Sequence, residues 1–351
     1  MPVAFDVGAI DGRTFDAGAF LAARGGAAFL TAAFGTAATG SIATLAAAFL
    51  RVRLADGAAA PAASAATAWP SCGSRTDAMF GTAQSRGGED ARRVIRLATW
   101  NVNSLKVRMP RVEQWLAEVE PDIVCLQETK VADAAFPALT FASMGYESAH
   151  HGQGQWNGVA VLSKVGLDDV VTNFATGIDP DVDARIITAT CAGLRVSSVY
   201  VPNGRTVDHE HYTYKLDWLG RLGSHVTSGS GRDDAVVVAG DFNIAPDDRD
   251  VYDPAKFVGA THVSEPERAR LRELEEHGLV DVFRRHYDGV GVYSWWDYRA
   301  GDFHEGRGMR IDLILATEPV AERVEWCAID RNARKGKLPS DHAPVLVDLR
   351  D

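Results

Sequence analysis

The sequence lacks the residue patterns that define several common classes of site. Its four cysteines are far apart and form no CxxC pair, which argues against a zinc ribbon or a redox motif and favours reduced, buried thiols. It has neither a nucleophile elbow carrying serine or cysteine nor a glycine-rich phosphate loop. With 46% hydrophobic and 24% charged residues, the 351-residue chain instead has the composition of a soluble globular protein.

Lysine is absent from the first 90 residues, which are rich in alanine, glycine and threonine. Because they show no sustained amphipathic period, we predict that residues 1–92 form a low-complexity, poorly structured extension. The uncharged run 25–50 is long enough to cross a bilayer, but it is mostly alanine, which contributes little to insertion. Membrane anchoring through this run is a minor alternative, and a start codon placed too early, with Met79 as the true start, is another.

Residues 91–351 carry 30 of the 36 lysines and arginines and 40 of the 47 aspartates and glutamates. This acidic balance argues against an unselective polyanion binder, unless a metal or a local basic face compensates for it. The function must therefore be inferred from a site rather than from composition.

After residue 93 the sequence changes to short β-branched runs separated by helical patterns and polar turns. The predicted strands are VIRLATWNV, DIVCLQET, GVAVLSK, ARIITAT, LRVSSVYV, AVVVAGDF, RIDLILAT and APVLVDLR. Helical patterns follow Pro110 as far as Pro121, surround 209–222 and cover 265–276. This mixture predicts an α/β protein in which two sheets pack face to face and helices cover them outside.

Several strong strands run directly into a polar residue that the end of a strand would expose. These residues are Asn101, Glu128, Tyr200, Asp241, Asn243, Asp312, Asp341 and His342. Each one alone has an ordinary structural explanation, such as a turn or a satisfied buried group. Together they predict a site that a rigid scaffold assembles from the ends of several strands.

The chemistry of this set is that of hard oxygen ligands, with one histidine and one tyrosine among them. Carboxylates and carboxamides suit Mg²⁺, with Mn²⁺ as a substitute. Metal-assisted attack of water on a phosphodiester follows from this inventory. An aspartate or a metal-bound hydroxide supplies the nucleophile, and a histidine beside an aspartate stabilises or protonates a phosphate oxygen.

Seven segments, in their order along the chain, resemble the exonuclease III family of AP endonucleases, within the endonuclease/exonuclease/phosphatase (DNase I-like) superfamily. They are TWNVNS, PDIVCLQETK, YVPNG, VVVAGDFNIAP, SWWDYR, RIDLIL and SDHAPV. The resemblance implies that 93–351 is a catalytic domain, folded as a four-layered α/β sandwich with two mixed sheets between helices. It also implies a Mg²⁺-dependent DNA repair phosphodiesterase that incises 5′ to abasic sites and has 3′ to 5′ exonuclease or 3′-phosphodiesterase activity.

The resemblance also assigns roles at the metal and around the attacking water. By similarity Glu128 is the principal Mg²⁺ ligand, with Asn101 beside it and Asp341 as a candidate for a second or alternative metal position. Asp241 would activate or orient the attacking water. Tyr200 would contact the phosphate or assist the leaving oxygen. Whether the aspartate, the tyrosine or a metal hydroxide takes the proton from water is left open.

Phosphate binding and substrate selection are implied in the same way. Asn243 would hold the phosphate, and His342, oriented by Asp312, would bind the scissile phosphate. A flipped-out abasic sugar can enter a pocket too small and apolar for a normal nucleotide. The positions that line this pocket in the family are Trp295, Met309 and Ile311 here; the neighbouring Trp296 is expected to be a core residue.

Double-stranded DNA with abasic sites or blocked 3′ ends is the partner that the resemblance implies. A local basic rim must then offset the acidic chain. Its candidates are Asn203, Arg205, Lys215, Arg108, Arg111, Arg331, Arg334, Lys335 and Lys337. We expect about half of these to be ordinary surface residues, no stable protein partner, no membrane association and a cytoplasmic, nucleoid-associated location.

Two alternatives remain at this point. The first is another phosphodiesterase, phosphatase or nonspecific nuclease on the same scaffold, against which the SWWDYR segment argues. The second is a catalytically silent DNA-binding member, which is disfavoured because every expected catalytic position is filled.

Overall fold

The structure, a computed structural model, describes residues 94–175 and 177–351. The predictions for 1–92, including the run 25–50, lie outside these residues. Among the helices so described, none combines the length and the apolar character that a bilayer span requires.

The first sheet has six strands in the order β11-β12-β1-β2-β4-β3. Their bounds are β1 Val94–Asn101, β2 Ile123–Gln127, β3 Glu147–His151, β4 Val159–Ser163, β11 Val324–Ile329 and β12 Val345–Arg350. Strands β1 and β2 are parallel, and the other neighbours are antiparallel.

The second sheet also has six strands, in the order β5-β6-β7-β8-β10-β9. Their bounds are β5 Asp168–Thr172, β6 Ile186–Cys191, β7 Leu194–Tyr200, β8 Val236–Asp241, β9 Leu279–Asp281 and β10 Asp312–Thr317. Its one parallel pair is β7 with β8. Each sheet is thus mixed and has its parallel pair at the centre.

The main core lies between the two sheets. Buried side chains such as Leu97 and Val161 from the first sheet meet Val196 and Ile314 from the second in one apolar cluster. This is the packing expected when each sheet has an apolar inner face, because burial of that face from water is the main stabilising contribution.

Helices cover the outer faces of both sheets. They are α1 Leu105–Val119 and α2 Ala138–Ser143 on the first sheet, and α3 Glu210–Gly229 and α4 Glu265–Glu276 on the second. Three shorter helices are α5 Val282–His286, α6 Asp302–Glu305 and α7 Glu318–Ala321, of which α5 and α7 contribute Val282 and Val320 to the core between the sheets. The apolar stripe of α1 packs on the first sheet through Trp115 and Leu116, and α3 packs on the second through Trp218 and Leu222. The four predicted layers are therefore confirmed.

Helix α1 differs from its prediction, because it begins at Leu105 and contains Pro110 instead of following it. Pro110 is the sixth residue of the helix, so the helix continues through it without the backbone hydrogen bond that an N–H at this position would donate to the carbonyl of Lys106. Helix α4 has the predicted bounds.

Candidate active site

The polar residues predicted at strand ends meet where the two parallel strand pairs end. In the first sheet β1 ends at Asn101, and Glu128 follows β2 with a positive φ of 50°. In the second sheet Tyr200 and Asp241 end β7 and β8 side by side, and Asp312 lies opposite Asp241 on β10. Because carboxyl ends of parallel strands share one edge, both sheets deliver side chains to the same place.

Asn101 connects the carboxylates of the two sheets. Its Nδ2 donates to Glu128 Oε1 at 2.7 Å and to Asp241 Oδ2 at 2.9 Å. The Asn101 side chain is buried and its Oδ1 accepts from the backbone N–H of Asn103 at 3.0 Å. One carboxamide thus fixes the separation of two acidic groups that are 113 residues apart in sequence.

His342 is held between two aspartates. Its Nδ1 lies 2.8 Å from Asp312 Oδ2, and its Nε2 lies 3.8 Å from Asp241 Oδ2. Burial lowers the pKa of His342, but the charges of Asp312 and Asp241 outweigh this effect and raise the pKa well above its ordinary value. Near neutral pH the ring is therefore an imidazolium whose Nε2–H faces the site.

Asp241 is nearly free of solvent contact, with 1% of its surface exposed. Burial raises its pKa above the usual range of a carboxyl group, and this outweighs the opposing charge of His342. A carboxylate with a raised pKa is a stronger base than an ordinary one. Asp241 is thus suited to accept a proton from a water molecule.

Tyr200 lies beside Glu128 at the end of β7. Burial and the charge of Glu128 raise the pKa of its phenol well above the ordinary value. The Arg185 guanidinium packs 4.9 Å from the centre of the tyrosine ring. The phenol therefore stays protonated at neutral pH and can donate a hydrogen bond to an anionic group.

Glu128, Asp241 and His342 each offer a possible metal ligand, and these three atoms lie within 4.8 Å of one another. Two carboxylates in so small a space fit a hard divalent cation, because a cation offsets their mutual repulsion. In the structure Lys130 Nζ, 2.7 Å from Glu128 Oε2, offsets part of that charge. The residues therefore fit the predicted Mg²⁺.

Asp341, the predicted second metal position, lies outside that cluster of three. Its carboxylate accepts hydrogen bonds from Trp295 Nε1 at 3.1 Å and from Asn103 Nδ2 at 3.0 Å. These donors, together with the charge of His342, outweigh the effect of burial and lower its pKa. A second metal at Asp341 stays a prediction.

Asn243 and Asn203 form a pair of carboxamides on the second sheet's side of the site. Asn243 follows β8 with a φ of 52°, and its backbone N–H donates to Asp241 Oδ1 at 2.9 Å. The exposed Asn203 donates through Nδ2 to Asn243 Oδ1 at 3.2 Å. Both lie where the resemblance places phosphate and DNA contacts.

The three residues predicted to line an abasic pocket lie together. Met309 and Ile311 are 2% and 3% exposed in a small apolar cluster, and the half-buried Trp295 packs against them. Trp295 and Met309 exchange two backbone hydrogen bonds, and Trp295 also pairs with His342. Trp296 is a core residue, as expected. The pocket's role in substrate selection stays a prediction.

The prediction that Lys215 belongs to the basic rim is wrong. Its side chain is fully buried and pairs with Glu267, which is equally buried, so it cannot reach DNA. Arg334 is also buried and donates to the Ser340 carbonyl. Of the other rim candidates, Arg205 is exposed and Arg108 donates to a backbone carbonyl beside the site.

Three further residues border the site and were not predicted from the sequence. Asn103 links Asn101 to Asp341 and accepts from Lys130 Nζ at 2.6 Å. Asn103 lies inside the segment TWNVNS and Lys130 inside PDIVCLQETK. Their position within these motifs was the sequence signal that could have identified them. Trp156 is 65% exposed. It precedes Asn157 and Gly158, whose backbone carbonyls accept from the N–H groups of residues 130 and 129, respectively.

Comparison with known proteins agrees with this geometry. The model of the Endonuclease/Exonuclease/phosphatase family matches residues 98–342. Exodeoxyribonuclease III of Haemophilus influenzae is 32% identical over 268 residues, which are 73% of this chain and 100% of that protein.

Two solved structures are similar in sequence and fold. The AP endonuclease from Archaeoglobus fulgidus is 38% identical with a TM-score of 0.70, covering 73% of this chain and 99% of that one. The 3′ phosphatase NExo from Neisseria, bound to a product DNA hairpin, has the same identity and TM-score and covers 73% of this chain and 100% of that one. The chain therefore belongs to the endonuclease/exonuclease/phosphatase family and, within it, to the group of exonuclease III and AP endonuclease DNA repair nucleases.

Proposed function

We propose that this protein is a Mg²⁺-dependent phosphodiesterase of double-stranded DNA that incises 5′ to abasic sites and also acts on blocked 3′ ends. The observation that carries the proposal is the meeting of Glu128, Asn101, Asp241 and His342 at the shared edge of two sheets. The similarity to an AP endonuclease and to a 3′ phosphatase bound to DNA supports this choice of substrates.

Glu128, assisted by Asn101, would hold the metal, with Asp341 as the candidate for a second or alternative metal position. When bound, Mg²⁺ neutralises phosphate charge and polarises the phosphorus–oxygen bonds. The acidic chain then needs fewer basic side chains at the scissile phosphate itself.

The protein's own side chains account for the proton transfers. Asp241 accepts a proton from water as the water oxygen attacks phosphorus, and the bond from phosphorus to the leaving oxygen breaks. The imidazolium of His342 donates to a non-bridging phosphate oxygen, where negative charge develops. Asp312 keeps that ring charged and oriented through its bond to Nδ1. Tyr200 donates its proton towards the phosphate or the leaving oxygen.

The DNA backbone would pass over the exposed polar groups around the site. A cleft of about 300 Å³ next to Pro339 is lined by Tyr298, Phe303, Arg334 and Lys335, and also by Asp297 and Asp302. Its lysine and aromatic side chains suit a phosphate and a sugar or base, respectively. Sequence-independent contacts of this kind are what a repair enzyme requires.

A panel of three duplexes tests the proposal. One carries a single abasic analogue, one is the same duplex undamaged, and one has a nick with a 3′-phosphate. With Mg²⁺ we expect the abasic strand to be cut about a hundredfold faster than the undamaged strand, because an intact base is excluded from the pocket. Cleavage rates are measured on end-labelled strands.

Each alternative gives a different result in the same assay. Equal cleavage of damaged and undamaged duplexes would indicate a nonspecific nuclease. Removal of the 3′-phosphate without any abasic incision would restrict the function to 3′-end repair. DNA binding without any cleavage would identify a catalytically silent member of the family.

A further inference from the structure

The loops after β7 and β8 share a buried polar network around a single ammonium group. Lys215 Nζ donates to the backbone carbonyl of Asn243 at 2.7 Å, to that of Asn203 at 3.3 Å, and to the carboxylate of Glu267. Its three N–H groups thus have three acceptors, which is the full capacity of a lysine. Both members of the ion pair have no exposed surface.

Glu267 is as fully satisfied as the lysine. Besides the lysine, its carboxylate accepts from Thr261 Oγ1 at 2.8 Å, from the His262 N–H at 3.0 Å, and from the N–H and hydroxyl of Ser264 at 3.1 and 2.6 Å. Helix α4, which begins at Glu265, therefore holds the carboxylate in place at its first turn. A buried charge with this many donors stabilises one arrangement of its surroundings.

The network ends at the backbone of both carboxamide residues of the candidate site. Asn243 has a positive φ of 52°, in the left-handed region that asparagine adopts more readily than most L-residues. Its carbonyl accepts from the lysine and from His262 Nδ1, while the carbonyl of Asn203 accepts from the lysine. The ammonium group is the one donor that these two carbonyls share among the residues described.

We propose that Lys215 is a positioning residue that sets the spacing between Asn203 and Asn243 at the substrate phosphate. This role rests on the proposed function, since it requires the carboxamides to contact the phosphate. A lysine ammonium is suited to this positioning role because its single nitrogen donates three hydrogen bonds in different directions. It can therefore bond to two loops and to a carboxylate at the same time. A displacement of about 1 Å in such groups can change a rate by about a hundredfold.

Three variants separate positioning from stability. Lys215→Met removes the shared donor and leaves a buried carboxylate unpaired, so we expect the Tm to fall by about 5 °C or more and kcat on abasic DNA to fall about tenfold or more. Glu267→Gln keeps the ammonium and both of its carbonyl bonds, so the Tm falls while kcat stays within about twofold of the wild type. The double variant removes both charges, so the Tm recovers but kcat stays low.

Arg96→Met is the matched control, because it removes an ion pair with Asp348 at the start of β1, the opposite end from Asn101. It should change the Tm without changing kcat.

The positioning role is wrong if kcat follows the Tm across the series, or if Lys215→Met keeps the kcat of the wild type. If Lys215→Met does not fold, the kcat values of Glu267→Gln and of the double variant still test the positioning role. A wild-type protein that cleaves no substrate would instead overturn the proposed function, and this role with it.

Discussion

Asp241→Asn is expected to lower kcat on abasic duplex DNA by about a hundredfold or more, while the Kd for DNA changes far less. The substitution keeps the size of the side chain, although the single oxygen of asparagine can replace only one of the two Asp241 oxygens that accept from Asn101 Nδ2 and from the Asn243 N–H. It removes the basic oxygen that takes the proton from water, and that oxygen acts mainly in the transition state. Single-turnover cleavage rates and fluorescence anisotropy measure the two quantities.

Asp348→Asn provides the control, because it makes the same chemical change in a carboxylate that pairs with Arg96 at the far end of the sheet. Its kcat should equal that of the wild type. A loss confined to KM in Asp241→Asn would show that Asp241 binds DNA and takes no part in the chemistry.

Glu128→Gln is expected to raise the Mg²⁺ concentration for half-maximal activity by about tenfold or more, since even groups outside the ligand set alter metal affinity by about 10- to 100-fold. Glutamine keeps the shape of the side chain and removes the charge that attracts the cation. Activity is measured as a function of Mg²⁺ concentration at fixed ionic strength. Glu118→Gln, on the exposed face of α1, is the matched control. An unchanged Mg²⁺ curve in Glu128→Gln would remove Glu128 from the metal site.

The sequence predicts the inner strands of both sheets and misses their edges. All eight predicted strands are present, and the four that were missed are β3, β11, β5 and β9, the two outermost strands of each sheet. Inner strands are buried on both faces, so they appear as continuous apolar runs. Edge strands such as Asp168–Thr172 are largely exposed and polar, and their sequence does not distinguish them from loops.

The candidate site was predictable for a related reason. Asn101 and Asp241 end inner strands and Glu128 follows one, and inner strands are the elements whose ends the sequence locates most clearly. The burial of Lys215 could not be predicted in this way, because its partner Glu267 is 52 residues away and their contact depends on how α3 packs against α4. On its own helix Lys215 resembles an ordinary surface lysine.

The most direct test of a single metal-dependent phosphodiesterase centre is cleavage of the abasic duplex by the wild-type protein before and after metal removal. The abasic strand should be cut in Mg²⁺, remain intact in excess EDTA, and be cut again at the original rate when Mg²⁺ is restored. Cleavage that continues at the same rate in EDTA would contradict the assignment of Glu128 and Asp241 to a metal-dependent centre. The absence of cleavage in Mg²⁺ would contradict the phosphodiesterase itself.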